Sequence, residues 1–209
     1  MNKPEPTGSG KEHLPAPDIT PLLHTLGYLH PLSPEIKEFL KEHVTSCSAR
    51  KRKLLLKEGA YCNSIYFIVK GAVRGFVREG QKDITTWIVV ENELVTSIFS
   101  LDNRVPSIEN IQVLENCELL ALSYDCLDEL YSRFPEFNLT ARKLLQRYYA
   151  DAERRAFIAR LTKAENKYRH FLLLHQSLAN RIPLKYIASY LGMTLETLSR
   201  VRKKFTSRV

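Results

Sequence analysis

Between Leu184 and Lys203, LKYIASYLGMTLETLSRVRK, two short helical periods meet at Gly192, and this local pattern restricts the fold more than any other in the chain. Leu184, Ile187, Ala188 and Leu191 share one face before the glycine; Leu198, Val201 and Phe205 share one face after it. Gly192 accepts a left-handed turn without strain, Met193 plugs the corner, and the Thr194 hydroxyl is placed to cap the second helix. Ala188, four residues before the glycine, lets that helix cross closely. The pattern predicts a helix-turn-helix.

Assigning the buried face leaves Leu195, Glu196, Ser199, Arg200 and Lys203 together on the outer face of the second helix, with its N-terminal end leading. Such a surface suits the major groove of DNA. Arg200 matches a guanine edge in bidentate fashion, and Glu196 is an acceptor for a cytosine amino group. Charge points the same way. Residues 160–209 carry eleven Lys and Arg against Glu165 and Glu196, a net of +9 within a chain whose formal total is +8, so residues 1–159 stand at −1. Basicity that coincides with the motif is the footprint of a phosphate-backbone binder, with Thr194 and Lys204 completing the expected DNA-binding set.

The four cysteines, Cys47, Cys62, Cys117 and Cys126, lie far apart and form no metal-ligand spacing with histidine, so the reading is buried thiols in a reducing compartment, with no disulfide framework and no metal site. No apolar run approaches the ~18 residues of a membrane span, and the N-terminus lacks a signal-peptide core. The expectation is a cytoplasmic chain with no membrane association. There is no nucleophile–base grouping, phosphate loop or pair of acids, so no catalytic residue is assigned and an enzyme is not expected.

Along the chain, residues 1–18 are rich in proline and glycine and read as a flexible tail. Ser33 and Pro34 open a helix over 34–45. Seven β-rich runs follow (53–56, 64–69, 72–77, 84–90, 94–99, 108–114 and 118–123), with Glu79, Gly80 and Gln81 at a hairpin tip. Many short strands without intervening helices predict an antiparallel sandwich or jelly roll. A short helix at 125–134 precedes a long one from Pro135 to Leu161. On it Leu145, Tyr149, Ala152, Ala156 and Ala159 recur at 4-3-4-3 spacing, a seam suited to self-pairing. Thr162 and Glu165 have the spacing of a capping box, which places a hinge at 159–162. The domains expected are a tail (1–18), a β-roll (19–134), a dimerisation helix (135–161) and a helix-turn-helix domain (162–209). The fold class is α+β: an antiparallel jelly-roll sensor domain, a long helix and an all-α C-terminal domain.

This order of elements resembles the Crp–Fnr family of bacterial transcription regulators over about residues 30–206. LLLKEGAYCNSIYFIVKGAVRGFV, with Gly59 and Gly71, is similar to the family's cyclic-nucleotide-binding roll, and IASYLGMTLETLSRVRKK to its recognition unit. The resemblance implies that Glu196 and Arg200 read bases; Leu195 stands where cyclic-AMP receptors have arginine, which implies a different operator. It also implies a ligand pocket at Val95, Thr96, Ser97, Ser107, Ile108, Tyr148 and Tyr149. There Thr96 and Ser97 replace the family's Gly-Glu pair for the ribose, Ser107 and Ile108 replace its Arg-Ser pair for the phosphate, and Tyr148 and Tyr149 replace a small hydroxylated pair near the adenine. A buried cyclic phosphate would lack a charge partner, so cyclic AMP is not expected to bind. Arg104 is close in sequence to the phosphate position but precedes Pro106. No cysteine precedes Cys47, so the iron–sulfur cluster of the family's oxygen-sensing branch is not expected, nor any other cofactor. The partners implied are double-stranded DNA, a second copy of the chain, RNA polymerase and a small-molecule effector of unknown identity. The competing expectation is a sensor or interaction module that answers another small ligand or a protein, with DNA binding constitutive or secondary.

Overall fold

The computed structural model describes residues 17–206, so the expected tail falls outside it except for Pro17 and Asp18. Two helices open the described chain, α1 (Thr20–Leu29) and α2 (Pro34–His43). The Asp18 carboxylate accepts from the Thr20 amide at 2.9 Å, and the Ser33 hydroxyl accepts from the Ile36 amide at 3.4 Å. Ser33 thus caps α2 as its sequence predicts, with Pro34 in the first turn.

Eight strands follow: β1 (Thr45–Ala49), β2 (Leu54–Leu56), β3 (Ser64–Lys70), β4 (Val73–Glu79), β5 (Lys82–Val89), β6 (Leu94–Val95), β7 (Asn110–Val113) and β8 (Cys117–Ser123). They form two antiparallel four-stranded sheets, ordered β1-β8-β3-β6 and β2-β7-β4-β5. Alternation along β3 sends Ile68 between the sheets, with Val73, Val113 and Leu119. It sends Phe67 to the opposite face, where α1, α2 and later helices contribute Leu26, Phe39, Leu40 and Leu130. One sheet therefore has a core on each side.

Two sequence expectations change here. The run 94–99 is not one strand: β6 stops at Val95, and a short helix, α3 (Ile98–Asn103), follows. Ser97 is buried at the turn between them, where its hydroxyl accepts from Ser107 at 3.2 Å. The cysteines are all free, but only Cys62 and Cys117 are buried; Cys47 is exposed on the edge strand β1 and Cys126 is intermediate.

After the sheets come α4 (Tyr124–Arg133), α5 (Phe137–Arg160) and α6 (Ala164–His175). A 3₁₀ turn at Gln176–Asn180 leads to α7 (Leu184–Tyr190) and α8 (Leu195–Thr206). The capping box expected at Thr162 does not form. Lys163 is the N-cap of α6 and has no side-chain cap, while the Glu165 carboxylate turns to Lys204 Nζ at 3.0 Å. Pro183 likewise sits at the N-cap of α7, one residue before its first turn. None of the described helices is long and apolar enough to cross a membrane.

The C-terminal helices share a core of Tyr168, Phe171, Leu178, Ile187, Leu191, Leu198 and Val201 that continues through Ile158 to Ala72, between β3 and β4, and Ile88 of β5. At β5, the edge of its sheet, the Thr85 amide donates to Ser189 Oγ at 2.9 Å, and that hydroxyl donates to the Asp83 carbonyl at 3.0 Å. A side chain of α7 thus meets polar groups that an edge strand leaves open. Arg74, 2% exposed, lies between the rings of Phe76 and Tyr186, 4.0 and 4.1 Å away, and donates to Asp83 at 2.7 Å. Arg181 reaches across to Glu91 and Glu115, with bonds of 2.9 Å to each. Its guanidinium holds the Glu91 carboxyl down to about 2.

Candidate nucleic-acid interface and ligand pocket

At the α7–α8 corner Gly192 has φ +61°, the left-handed value that favours glycine, and the Met193 amide donates to the Ala188 carbonyl at 3.0 Å. The Thr194 hydroxyl accepts from the Thr197 amide at 3.1 Å, so α8 is capped by the residue its sequence nominates. Lys167 Nζ donates to the Leu191 carbonyl at 3.1 Å, which ties α6 to the turn. With Leu198 and Val201 buried beneath α8, Thr194, Leu195, Glu196, Arg200, Lys203 and Lys204 are exposed and Ser199 is half-buried. Glu196 and Arg200 have no hydrogen bond or ion pair with any described residue; Lys204 is committed to Glu165. The outer face of α8 therefore offers an acceptor and a bidentate donor one turn apart, with α7 held against the β-roll behind them.

The second candidate site is a cavity of about 620 Å³ between the sheets, α3, α4 and α5. Of the residues expected there, Val95, Thr96, Tyr148 and Tyr149 line it. Ser97 and Ser107 do not. They are buried behind it, bonded to each other, and the Ser107 hydroxyl also donates to the Glu109 carbonyl at 2.8 Å. Ile108 is 65% exposed and points elsewhere. Positions 97 and 107 do lie next to each other, but their hydroxyls are spent on each other and on the Glu109 carbonyl instead of facing the cavity.

The polar lining differs from that of an anion site. Trp87 Nε1 donates to Glu109 Oε2 at 3.0 Å, and both residues face the cavity. Burial pushes the Glu109 carboxyl up, opposed by hydrogen bonds from Ser97 and Trp87 and by the charge of Arg155. The indole fits because Gly75 lies beneath it; an added Cβ would stand 2.1 Å from the ring. Arg104 is no substitute for a phosphate arginine. It donates to the Cys62 carbonyl at 3.2 Å and to Asn63 Oδ1 at 3.1 Å, and packs over Tyr124. Tyr148 is fixed by its hydroxyl, which accepts from the Leu94 amide at 2.7 Å, whereas Tyr149 is 68% exposed. Trp87, Glu109 and Arg155 were not assigned from sequence; the only signal was a polar residue in each of two strands and on the long helix, which becomes a cluster only after the strands pair.

All five seam positions, Leu145, Tyr149, Ala152, Ala156 and Ala159, are exposed in the single chain, and Leu145, Tyr149 and Ala152 also border the cavity between α5 and the β-roll. No group of three or more His, Cys, Asp or Glu able to hold a metal ion occurs among the described residues.

Comparison with known proteins covers both regions. Residues 47–134 match the cyclic nucleotide-binding domain family. The transcriptional activator protein FnrA of Stutzerimonas stutzeri is 25% identical over 168 residues, 75% of this chain and 68% of that one. The structure of FixK2 from Bradyrhizobium japonicum superposes with a TM-score of 0.68 at 19% identity, covering 79% of this chain and 85% of that one. The c-di-GMP responsive global regulator CLP of Xanthomonas campestris gives 0.66 at 18%, covering 84% and 93%. The two structures share the fold, from jelly roll to C-terminal helices. With that architecture, the chain carries a cyclic nucleotide-binding domain at residues 47–134 and is similar over most of its length to regulators of the Crp–Fnr type.

Proposed function

We propose that the protein is a homodimeric, sequence-specific DNA-binding transcription regulator of the Crp–Fnr type, whose nucleotide-type cavity does not take cyclic AMP. The observation that carries the DNA reading is the outer face of α8, where Glu196 and Arg200 stand exposed without a hydrogen-bond or ion-pair partner among the described residues, beside Leu195, Ser199 and Lys203. The two charges lie one turn apart at the capped end of α8, within the most basic region of the chain. The relatives named above as activators and regulators support the same reading.

Self-pairing rests on the exposed seam of α5. Two recognition helices brought together by it would meet half-sites ~34 Å apart on one face of a duplex. RNA polymerase and a small effector are the remaining partners of this reading, and the hinge at 159–162 is where an effector would act.

What argues against cyclic AMP is that the cavity lining holds the Glu109 carboxylate and one arginine, Arg155, whose charge already faces that carboxylate, leaving no second arginine for a phosphate. Its size is within the 300–1,000 Å³ typical of ligand pockets. That favours a second reading of the sensor, as a receptor for an uncharged or cationic apolar molecule.

Selection of bound duplexes from a randomised pool, followed by sedimentation of the free protein and of its complex, tests the proposal. The expected result is a two-fold symmetric consensus bound by a dimer. A pool that shows no enrichment over the input, or a monomer bound to an asymmetric site, contradicts it.

A further inference from the structure

A second cavity, of about 450 Å³, lies at the junction of the β-roll, α5 and the C-terminal helices. Its apolar wall is the end of β5 (Ile88, Val89) with Val90 and, across the gap, Leu174 of α6. Its polar lining comes mostly from α5. Arg147 pairs with Glu93, and Arg154 pairs with Asp151 at 3.3 Å, so both acids in the lining are matched by an arginine. Arg155 is left over. It is half-buried and has no hydrogen bond or ion pair with any described residue, although it lines this cavity and the nucleotide-type one. His175 and Tyr190 also line the gap without a hydrogen-bond partner, their rings 6.3 Å apart and nearly perpendicular. Burial lowers the pKa of His175, which keeps its ring neutral as a donor or acceptor.

A cavity with one guanidinium that makes no hydrogen bond to a described residue and whose charge neighbour Glu109 lies in the other cavity, two neutral polar tips open to the gap and flat rings beside aliphatic walls has the composition of a ligand site rather than of a packing defect. We propose that this junction binds a small organic anion, a carboxylate or phosphate carried on a flat apolar body. Arg155 holds the anionic head, His175 and Tyr190 complete its hydrogen bonds, and the body lies against Leu174 and Val90. Because the walls belong to the β-roll, to α5 and to the helix-turn-helix unit, such a ligand is bound only when these are together, and its binding favours that arrangement. The site shares Val89, Tyr148 and Arg155 with the nucleotide-type cavity, whereas His175, Tyr190, Leu174 and Val90 belong to it alone, and its existence does not depend on the function proposed above.

Calorimetric titration of the full-length protein with phenyl phosphate tests this, with inorganic phosphate as the arm that isolates the head group. The expected result is one site per chain with a Kd below about 1 mM. Arg155→Gln should weaken it about tenfold or more, His175→Gln and Tyr190→Phe should each weaken it, and inorganic phosphate should bind more weakly than the aryl ester. Glu109→Gln, which alters only the other cavity, should leave the affinity unchanged or raise it slightly through Arg155. The proposal is overturned if phenyl phosphate does not bind at about 10 mM, or if Arg155→Gln binds it as the unaltered protein does. It is equally overturned if Glu109→Gln abolishes binding while His175→Gln does not, since that outcome moves the ligand to the nucleotide-type cavity.

Discussion

The outer face of α8, read from helical periodicity and charge, and the lining of the nucleotide-type cavity, read from family resemblance, differ in what their polar groups do. On α8, Glu196 and Arg200 are exposed and uncommitted. In the cavity, Tyr148 is bonded to Leu94 and Glu109 to Trp87, while the Ser97 and Ser107 hydroxyls are bonded to each other behind it. A surface whose donors and acceptors are unspent is available to a partner; a lining whose hydrogen bonds are already closed offers a polar guest mainly desolvation. The difference teaches that a matching motif says where to look, and that the commitment of its polar atoms says whether a given ligand is recognised there.

The largest effect that bears on this comparison should come from removing the support beneath α8. Leu198 is fully buried, and Leu198→Ala should cost about 2–5 kcal/mol and abolish DNA binding through loss of the domain, read by thermal denaturation alongside a binding assay. Next, Gly75→Ala drives a methyl group into the Trp87 ring and should destabilise the roll by about 1–3 kcal/mol, with a change in tryptophan emission. DNA affinity of the folded fraction should be unaffected, which keeps the two sites distinct. Arg200→Ala should leave stability within about 0.5 kcal/mol, yet cost about 1–3 kcal/mol of specific binding and relax preference at one base pair. A loss that is equal on specific and random duplexes would break the comparison, because it would make α8 a phosphate binder only.

Smaller still is the pH response of the Arg181 contact. Glu91 has its folded pKa depressed, so its contribution is present above its ordinary value of 4.5 and is lost as pH falls toward about 2. Exposure of the pair keeps that contribution modest. Arg181→Ala should lower stability modestly at neutral pH and leave it unchanged near pH 2, so that the acid limb of the stability profile is flatter over that window.

The helix-turn-helix was legible because everything that defines it is local: a glycine at positive φ, a hydroxyl cap and a 3.6-residue apolar period within some twenty residues. The roll was legible as a succession of strands for the same reason. What was missed depends on pairing between distant segments. β1, TSCSA, is a short polar edge strand with no alternation to announce it, and exists because β8 offers it a ladder. α1 contains Gly27 and lies beside a proline-rich segment, and its helix is secured by packing Leu22 and Leu26 on the sheet. The cavity chemistry was the least readable part. Glu109 and Trp87 are twenty-two residues apart and meet only through β4, which pairs with β5 on one side and β7 on the other. Lys204 shows a third limit, since a cation counted toward phosphate binding turns out to hold Glu165.

Hydroxyl-radical footprinting on a selected duplex tests the account most directly, because it reads dimer symmetry and groove contact in one experiment. The account predicts two symmetric protected patches about one helical turn apart, both weakened by Arg200→Ala and by added salt. Uniform protection without boundaries, or a footprint that Arg200→Ala leaves unchanged, would contradict it.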